Sequence, residues 1–326
     1  MIDGESGHST YVLTCDLGSK MKTLEQVGFK VPSPGDSFYK EFDAELARKI
    51  ELMLPDVEVR VIDMDALAGE ILSRAAQFSG TNVASYCSGI CVGSEQTLQI
   101  NRLVDDNGKA IGLGPRPGFE TIGINSLDKA LPLVLVDDGV FSGETLLAIV
   151  RQIQTVGIAV EALVVGLCFP GAKAKIRQGF QGEIVSILDI PNPLDWMPNH
   201  DFFIFSPNCG RVRGTNGSGH PVPIPVINNG ATFSVPYLSP FIDSATFEGW
   251  TSLPASGAKD FSLFCVQQTL DFFRRLEKQN KKEIRVGDLL GTLPRVSIPI
   301  GLEQKIFPSL SSKVCDFVSD VCHELS

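Results

Sequence analysis

Leu131-Pro132-Leu133-Val134-Leu135-Val136-Asp137-Asp138-Gly139-Val140-Phe141-Ser142-Gly143-Glu144-Thr145 is the stretch that decides the fold. An apolar run without alternation marks a strand buried on both faces. Asp137 and Asp138 close the run at the strand's carboxyl end, where open α/β sheets receive ligands. Small residues follow, and the pattern from Leu146 to Thr155 predicts a helix. Gly143 permits a tight turn, Ser142 and Thr145 carry hydroxyls, and amides at a helix start lack partners and favour an anion. Ionised carboxylates only accept hydrogen bonds, which matches vicinal hydroxyls, at roughly 1.5–3 kcal/mol net per charged bond. These groups together suit a phosphorylated sugar. A buried strand followed by a helix-capping Asp pair is the plainer account of the same residues.

Outward from this stretch, strands and helices alternate over residues 57–190. Val57–Asp63 reads as a strand, Ala66–Phe78 as an amphipathic helix closed by Ser79-Gly80, and Val83–Val92 as a second strand. Ile100–Val104 and Lys109–Leu113 flank Asn107-Gly108, a hairpin turn. Ala162–Phe169, Ala172–Phe180 and Ile184–Ile190 read as strand, helix and strand. Such alternation predicts an α/β protein with a mostly parallel, doubly wound sheet. Residues 1–56 form an N-terminal segment packing on the core, with a helix over Glu41–Leu54 stopped by Pro55. Residues 57–194 form the core. Residues 195–326 form an irregular and helical C-terminal extension, a hood or lid, with helices over Asp260–Gln279 and Ser311–Leu325.

The run from Val134 to Thr145 resembles the phosphoribosyl-pyrophosphate (PRPP) binding signature of type I phosphoribosyltransferases: apolar residues, two acids, three variable residues, Thr or Ser, Gly, any residue, Thr or Ser. Every constrained position matches. The resemblance implies a Rossmann-like core and a role in nucleotide metabolism: transfer of a phosphoribosyl group from PRPP to a nitrogenous base or related acceptor, with release of pyrophosphate. Asp137 and Asp138 would hold the ribose and stabilise positive charge on the ring, while Gly139, Val140, Phe141, Ser142, Gly143, Glu144 and Thr145 would grip the 5′-phosphate. Arg116, in a glycine-rich loop, and Lys109 would offset charge on the departing group. The family's pyrophosphate loop corresponds in element order to Ile62–Gly69, which offers acids where the family offers Arg-Gly or Lys-Gly. Asp65, with Asp137 and Asp138, would then act through Mg²⁺ carried by the substrate. A helix cap is the plainer role for Asp65. Trp196, Asp201, Phe202 and Arg211 are the acceptor-binding candidates, or else a packing segment. Two other functions stay open: a non-catalytic sensor or accessory protein that binds PRPP or a nucleoside monophosphate, and a nucleotide N-glycosidase. Relatives of this fold often pair, so the resemblance leaves a homodimer open, and the sequence does not decide the oligomeric state.

Composition narrows the partners. In 326 residues, hydrophobic content of 43% against 20% charged describes an ordered globular protein. The net charge of −10 repels phosphate backbones and anionic lipids, so neither nucleic acid nor membrane is expected as a partner. The 8 cysteines contain no C-x-x-C and fit free thiols in a reducing cytoplasm. Met1-Ile2-Asp3-Gly4-Glu5 does not read as a signal peptide, and no apolar run is long enough to span a bilayer. No G-x-x-x-x-G-K-[ST], G-x-S-x-G or H-x-x-x-H occurs.

Overall fold

The computed structural model describes residues 9–87, 89–90, 96–104, 110–115, 122–207, 225–228, 231–234, 251–289, 296–297 and 311–326. The chain runs β1 (Thr10–Cys15), α1 (Leu17–Met21), α2 (Ser37–Met53), β2 (Glu58–Asp63), α3 (Met64–Ala75), β3 (Asn82–Ser85), β4 (Ile100–Val104), β5 (Ala110–Pro115), β6 (Leu133–Val140), α4 (Glu144–Thr155), β7 (Val160–Cys168), α5 (Ala172–Arg177), β8 (Glu183–Asp189) and β9 (Pro193–Pro198). Helices Ala258–Asn280 and Val314–Leu325 follow. The compact units are not the three sequence segments. One comprises Met1–Thr14, Asp56–Ile100 and Phe119–Trp196; the other comprises Cys15–Pro55, Asn101–Gly118 and Met197–Ser326.

The first unit is built on a sheet of order β3-β6-β7-β8, parallel throughout. Leu133, Val134, Leu135 and Val136 are each 0% exposed, as an unalternating apolar run requires. Val134, Val136 and Val164 join Leu67 and Ile71 of α3 in one cluster. The intervening side chains of β6 and β7 are equally buried and face the other way, the side on which α4 packs against β7. This is the doubly wound parallel arrangement expected. Two expectations change. The strand Val57–Asp63 exists as β2 but joins a separate sheet of order β2-β1-β9. The second strand ends at Ser85 because Ser85 Oγ accepts from Cys87 N (3.1 Å) and donates to Cys87 O (3.0 Å), turning the chain out of the ladder.

Gly166 on β7 shows how tightly the layers meet. A Cβ there would lie 2.5 Å from the carbonyl oxygen of Asp138 and 2.8 Å from Leu67 Cδ2.

The helices of the second unit pack around aromatic side chains. Asp36 caps α2 by accepting from Phe38 N at 2.9 Å, and the helix stops at Leu54, before Pro55. Phe42 meets Phe203 edge-on at 5.5 Å and stacks on Phe264 at 5.9 Å. Buried polar groups are set among them. Asn199 Oδ1 accepts from the amides of Asp16 and Leu17, both at 3.0 Å, and so caps α1. His200 Nδ1 lies 2.5 Å from Asp16 Oδ1, and Lys20 Nζ lies 3.5 Å from Asp16 Oδ2. Burial acts to raise the Asp16 pKa, but His200 and Lys20 outweigh it and hold the carboxyl below its ordinary value.

Among the described residues no helix is long and apolar enough to cross a membrane.

Two outcomes follow for stability. Gly166→Ala forces the layers apart and should cost about 1–3 kcal/mol, seen as a lowered Tm, whereas Gly35→Ala, with open space around it, should change stability by no more than about 0.5 kcal/mol. Asp16 has a depressed folded pKa, so its stabilisation is present above the ordinary carboxylate pKa and is lost as pH falls through the folded value. Asp16→Asn should therefore cost about 3–5 kcal/mol in urea unfolding at pH 7, with a penalty that shrinks on acidification.

Candidate functional site

β3 and β6 run parallel with Ser85 opposite Val136, so both strands deliver their next residues to the same sheet edge. From β6 come Asp137 and Asp138; from the turn after β3 come Tyr86 and Cys87. They meet there. The Tyr86 hydroxyl donates to Asp137 Oδ2, and Cys87 Sγ donates to Asp138 Oδ2 at 3.1 Å. Asp137 is 2% exposed, whereas Asp138 is half-buried. Burial, reinforced by the charge of Asp137 and the bond to it, pushes the Tyr86 phenol well above its ordinary pKa, so it remains a proton donor.

The loop continues from the acids. Gly139 has ordinary backbone angles; its missing side chain matters for space, since a Cβ would come within 2.7 Å of the Trp196 ring. Val140 is buried and its carbonyl accepts from Phe169 N at 3.2 Å. Phe141 turns outward, 53% exposed, its ring 5.0 Å from that of Phe169. Gly143 caps α4 in the left-handed region, φ +82°, and a Cβ would press on Ile176 at 2.9 Å. Ser142 and Glu144 are exposed, Thr145 half-buried. Glu144 N reaches Ser142 Oγ at 3.4 Å, and among the described residues the amides of Ser142, Gly143 and Thr145 have no protein acceptor. Amides of this kind at the start of a helix suit an anion, and a half-buried carboxylate beside them suits a hydroxyl.

The other expected site residues lie elsewhere. Asp65 is exposed, and Asp63 caps α3 by accepting from the amides of Asp65 and Ala66, at 2.9 and 3.0 Å. The strand carrying that stretch, β2, is in the separate sheet, and the turn after β3 is the one whose Tyr86 and Cys87 bond the acids. Trp196 packs on Gly139, stacks on Phe169 at 5.7 Å and donates through Nε1 to Thr14 Oγ1 at 3.1 Å; it braces the loop from within the first unit. Phe202, expected to stack on a base, is 0% exposed and edge-on to Phe261 at 5.3 Å. Asp201 is 1% exposed, 3.7 Å from His200 Nε2, in the buried polar group of the second unit. Both are interior side chains. Lys109, Arg116 and Arg211 fall outside the described residues.

Cys87, Asp137 and Asp138 bring three donor atoms within 4.8 Å of one another. They do not fit a resident Mg²⁺. One donor is a soft thiol, and each carboxylate already accepts a hydrogen bond from the protein, whereas Mg²⁺ requires hard oxygen ligands and retained waters.

No protein-family model and no curated protein matches the chain. Solved structures similar to it include the adenine phosphoribosyltransferase of Thermoanaerobacter pseudethanolicus, at 16% identity over 37% of this chain and 77% of that one, TM-score 0.27. The enzyme of Saccharomyces cerevisiae, solved with an imino-altritol bisphosphate and adenine, is 13% identical over 52% and 99%, TM-score 0.27. That of Trypanosoma brucei, with AMP, pyrophosphate and ribose-5-phosphate, is 16% identical over 52% and 79%, TM-score 0.27.

Gly143→Ala combines a left-handed backbone angle with contact to Ile176. It should destabilise the chain by about 1–3 kcal/mol, read as a lower Tm, while Gly69→Ala, in open space on α3, should be neutral or stabilising.

Proposed function

We propose that the first unit binds PRPP or a nucleoside monophosphate and transfers the phosphoribosyl group to a nitrogenous base. One observation supports this above the others: at a single sheet edge, a half-buried carboxylate, Asp138, is followed through a tight loop by amides with no acceptor at the start of α4. A ribose 5-phosphate has the matching pattern, vicinal hydroxyls at one end and a dianion at the other.

In this reading Asp138 accepts from the ribose hydroxyls, and the amides from Ser142 to Thr145 hold the 5′-phosphate. The C1′–oxygen bond to pyrophosphate breaks, and a nitrogen of the acceptor forms the new bond to C1′. Positive charge grows on the ring between these events, and a fixed carboxylate nearby favours it. Asp137, closed off by Tyr86, backs its neighbour and does not itself meet the sugar. Positioning and preorganised charge account for the catalysis, with little proton transfer.

A binding protein without turnover is the second reading. Among the described residues, the loop beside the acids presents a phenol and a thiol, neither of which balances a departing diphosphate. Calorimetry with PRPP, with and without Mg²⁺, followed by assay of released pyrophosphate over a panel of bases, separates the two. Heat and release with one base support the transferase; heat without release supports the binder; no heat refutes both. Asp138→Asn should weaken PRPP about 10- to 100-fold, the worth of a charged hydrogen bond, with Tm unchanged. Equal affinity in the variant would remove Asp138 from the site.

A further inference from the structure

We propose that Phe141 is the platform on which the base stacks, so that the acceptor is a flat heteroaromatic ring and not ammonia or an alkyl amine. This deepens the reading just given and rests on it, because the ring stands in the loop between Asp138 and the amides assigned to the phosphate.

A single exposed apolar side chain needs no explanation by itself. Place and support set Phe141 apart. Among the described residues the exposed large apolar side chains are Leu52, Val61, Leu131, Phe141 and Leu194, and Phe141 alone is a ring. It is also the one that lies in the proposed ligand loop. It directly precedes Ser142 and follows Asp138 by three residues, a backbone reach of no more than about 11 Å. Its support is a series of rings. Phe141 rests on Phe169 at 5.0 Å, and Phe169, 3% exposed, stacks on Trp196 at 5.7 Å with 20° between the planes. Trp196 Nε1 is anchored on Thr14 Oγ1 at 3.1 Å, and Phe169 N donates to the Val140 carbonyl at 3.2 Å. Only the last ring of the series opens to solvent. The turn after Phe169 is kept small: it is Pro170-Gly171, and a Cβ on Gly171 would meet nothing within 4 Å. A ring braced from beneath offers a flat ligand a surface at little ordering cost. Phenylalanine has no polar atom, so it attracts the face of any aromatic base without reading its edge. An amine lacking such a face gains nothing from it. Phe141 therefore selects the class of acceptor, a role that the interior Phe202 does not fill.

Calorimetry on the intact chain compares AMP and UMP, which carry a base, with ribose 5-phosphate, which does not, in wild type, Phe141→Ala and Phe141→Tyr. Phe141→Ala should weaken both nucleotides by ~5- to 100-fold, the worth of one base–aromatic stack, and leave ribose 5-phosphate within about 2-fold of wild type. Phe141→Tyr keeps the aromatic face and should keep nucleotide affinity. In Phe141→Trp, the fluorescence in excess of the parent's should be quenched saturably by AMP and not by ribose 5-phosphate. Unchanged nucleotide affinity in Phe141→Ala overturns the proposal, and intact ribose 5-phosphate binding then leaves the phosphate reading standing. Equal losses for all three ligands also overturn it, since the ring would then only brace the loop. Unchanged affinities with altered sedimentation assign the ring to a protein contact and overturn it as well. If wild type binds none of the three, the phosphate reading fails and the proposal fails with it. Should Phe141→Ala melt early, Phe141→Leu keeps apolar bulk without an aromatic face, and the same selective loss of nucleotide affinity is expected; its absence is again decisive against the platform.

Discussion

Parallel pairing of β3 with β6 is the constraint from which the site follows. Two strands hydrogen-bonded in parallel must release their chains at the same edge, and the register Ser85 to Val136 releases Tyr86 and Asp137 side by side. Local sequence sets neither event alone. The ladder brings together groups that are 51 residues apart in the chain, and it does so on both acids, through Tyr86 and through Cys87. A buried carboxylate is costly unless bonded. Here the same sheet that buries Asp137 supplies its donor.

Space around that edge is made largely by missing side chains. Gly166 lets β7 lie against the Asp138 carbonyl, Gly139 admits the Trp196 ring, and Gly143 turns the loop where a Cβ would strike Ile176. Each acts at a different neighbour. Trp196 then ties the loop to β1 through Thr14, and its stack with Phe169 continues to the exposed ring of Phe141. Packing under the loop holds the backbone from Ser142 to Thr145, which would lower the ordering cost for the anion proposed to bind there.

Much of this was legible in the residues, and the part that was not has a physical reason. The strand, the acids, the turn at Gly143 and helix α4 are contiguous, so an apolar run, two charges and a glycine suffice to read them. The parallel class follows equally from alternation. Which sheet a strand joins is different: Val57–Asp63 has the composition of a core strand, and only long-range pairing assigns it to β1 and β9. That is why the sheet that Ile62 and Asp63 join is not legible from their own composition. Aromatic density drew attention to Trp196, Phe202 and Asp201, yet crowded rings mark a core as readily as a binding face. Phe202 and Asp201 have their partners inside the second unit, with Asp16, Lys20 and His200 close to the latter. A polar Tyr-Cys step directly after a short strand was the one local sign of the missed residues.

The central claim is that the amides opening α4 receive the phosphate of a pentose held by Asp138. Backbone ¹⁵N–¹H spectra of the intact chain, recorded during titration with ribose 5-phosphate and separately with ribose and inorganic phosphate, address it directly. The account predicts saturable shifts at Ser142, Gly143 and Thr145 with the sugar phosphate, weaker ones with phosphate alone, and none with ribose at equal concentration. Shifts confined to other parts of the chain, or unmoved amides at saturating ribose 5-phosphate, would contradict it.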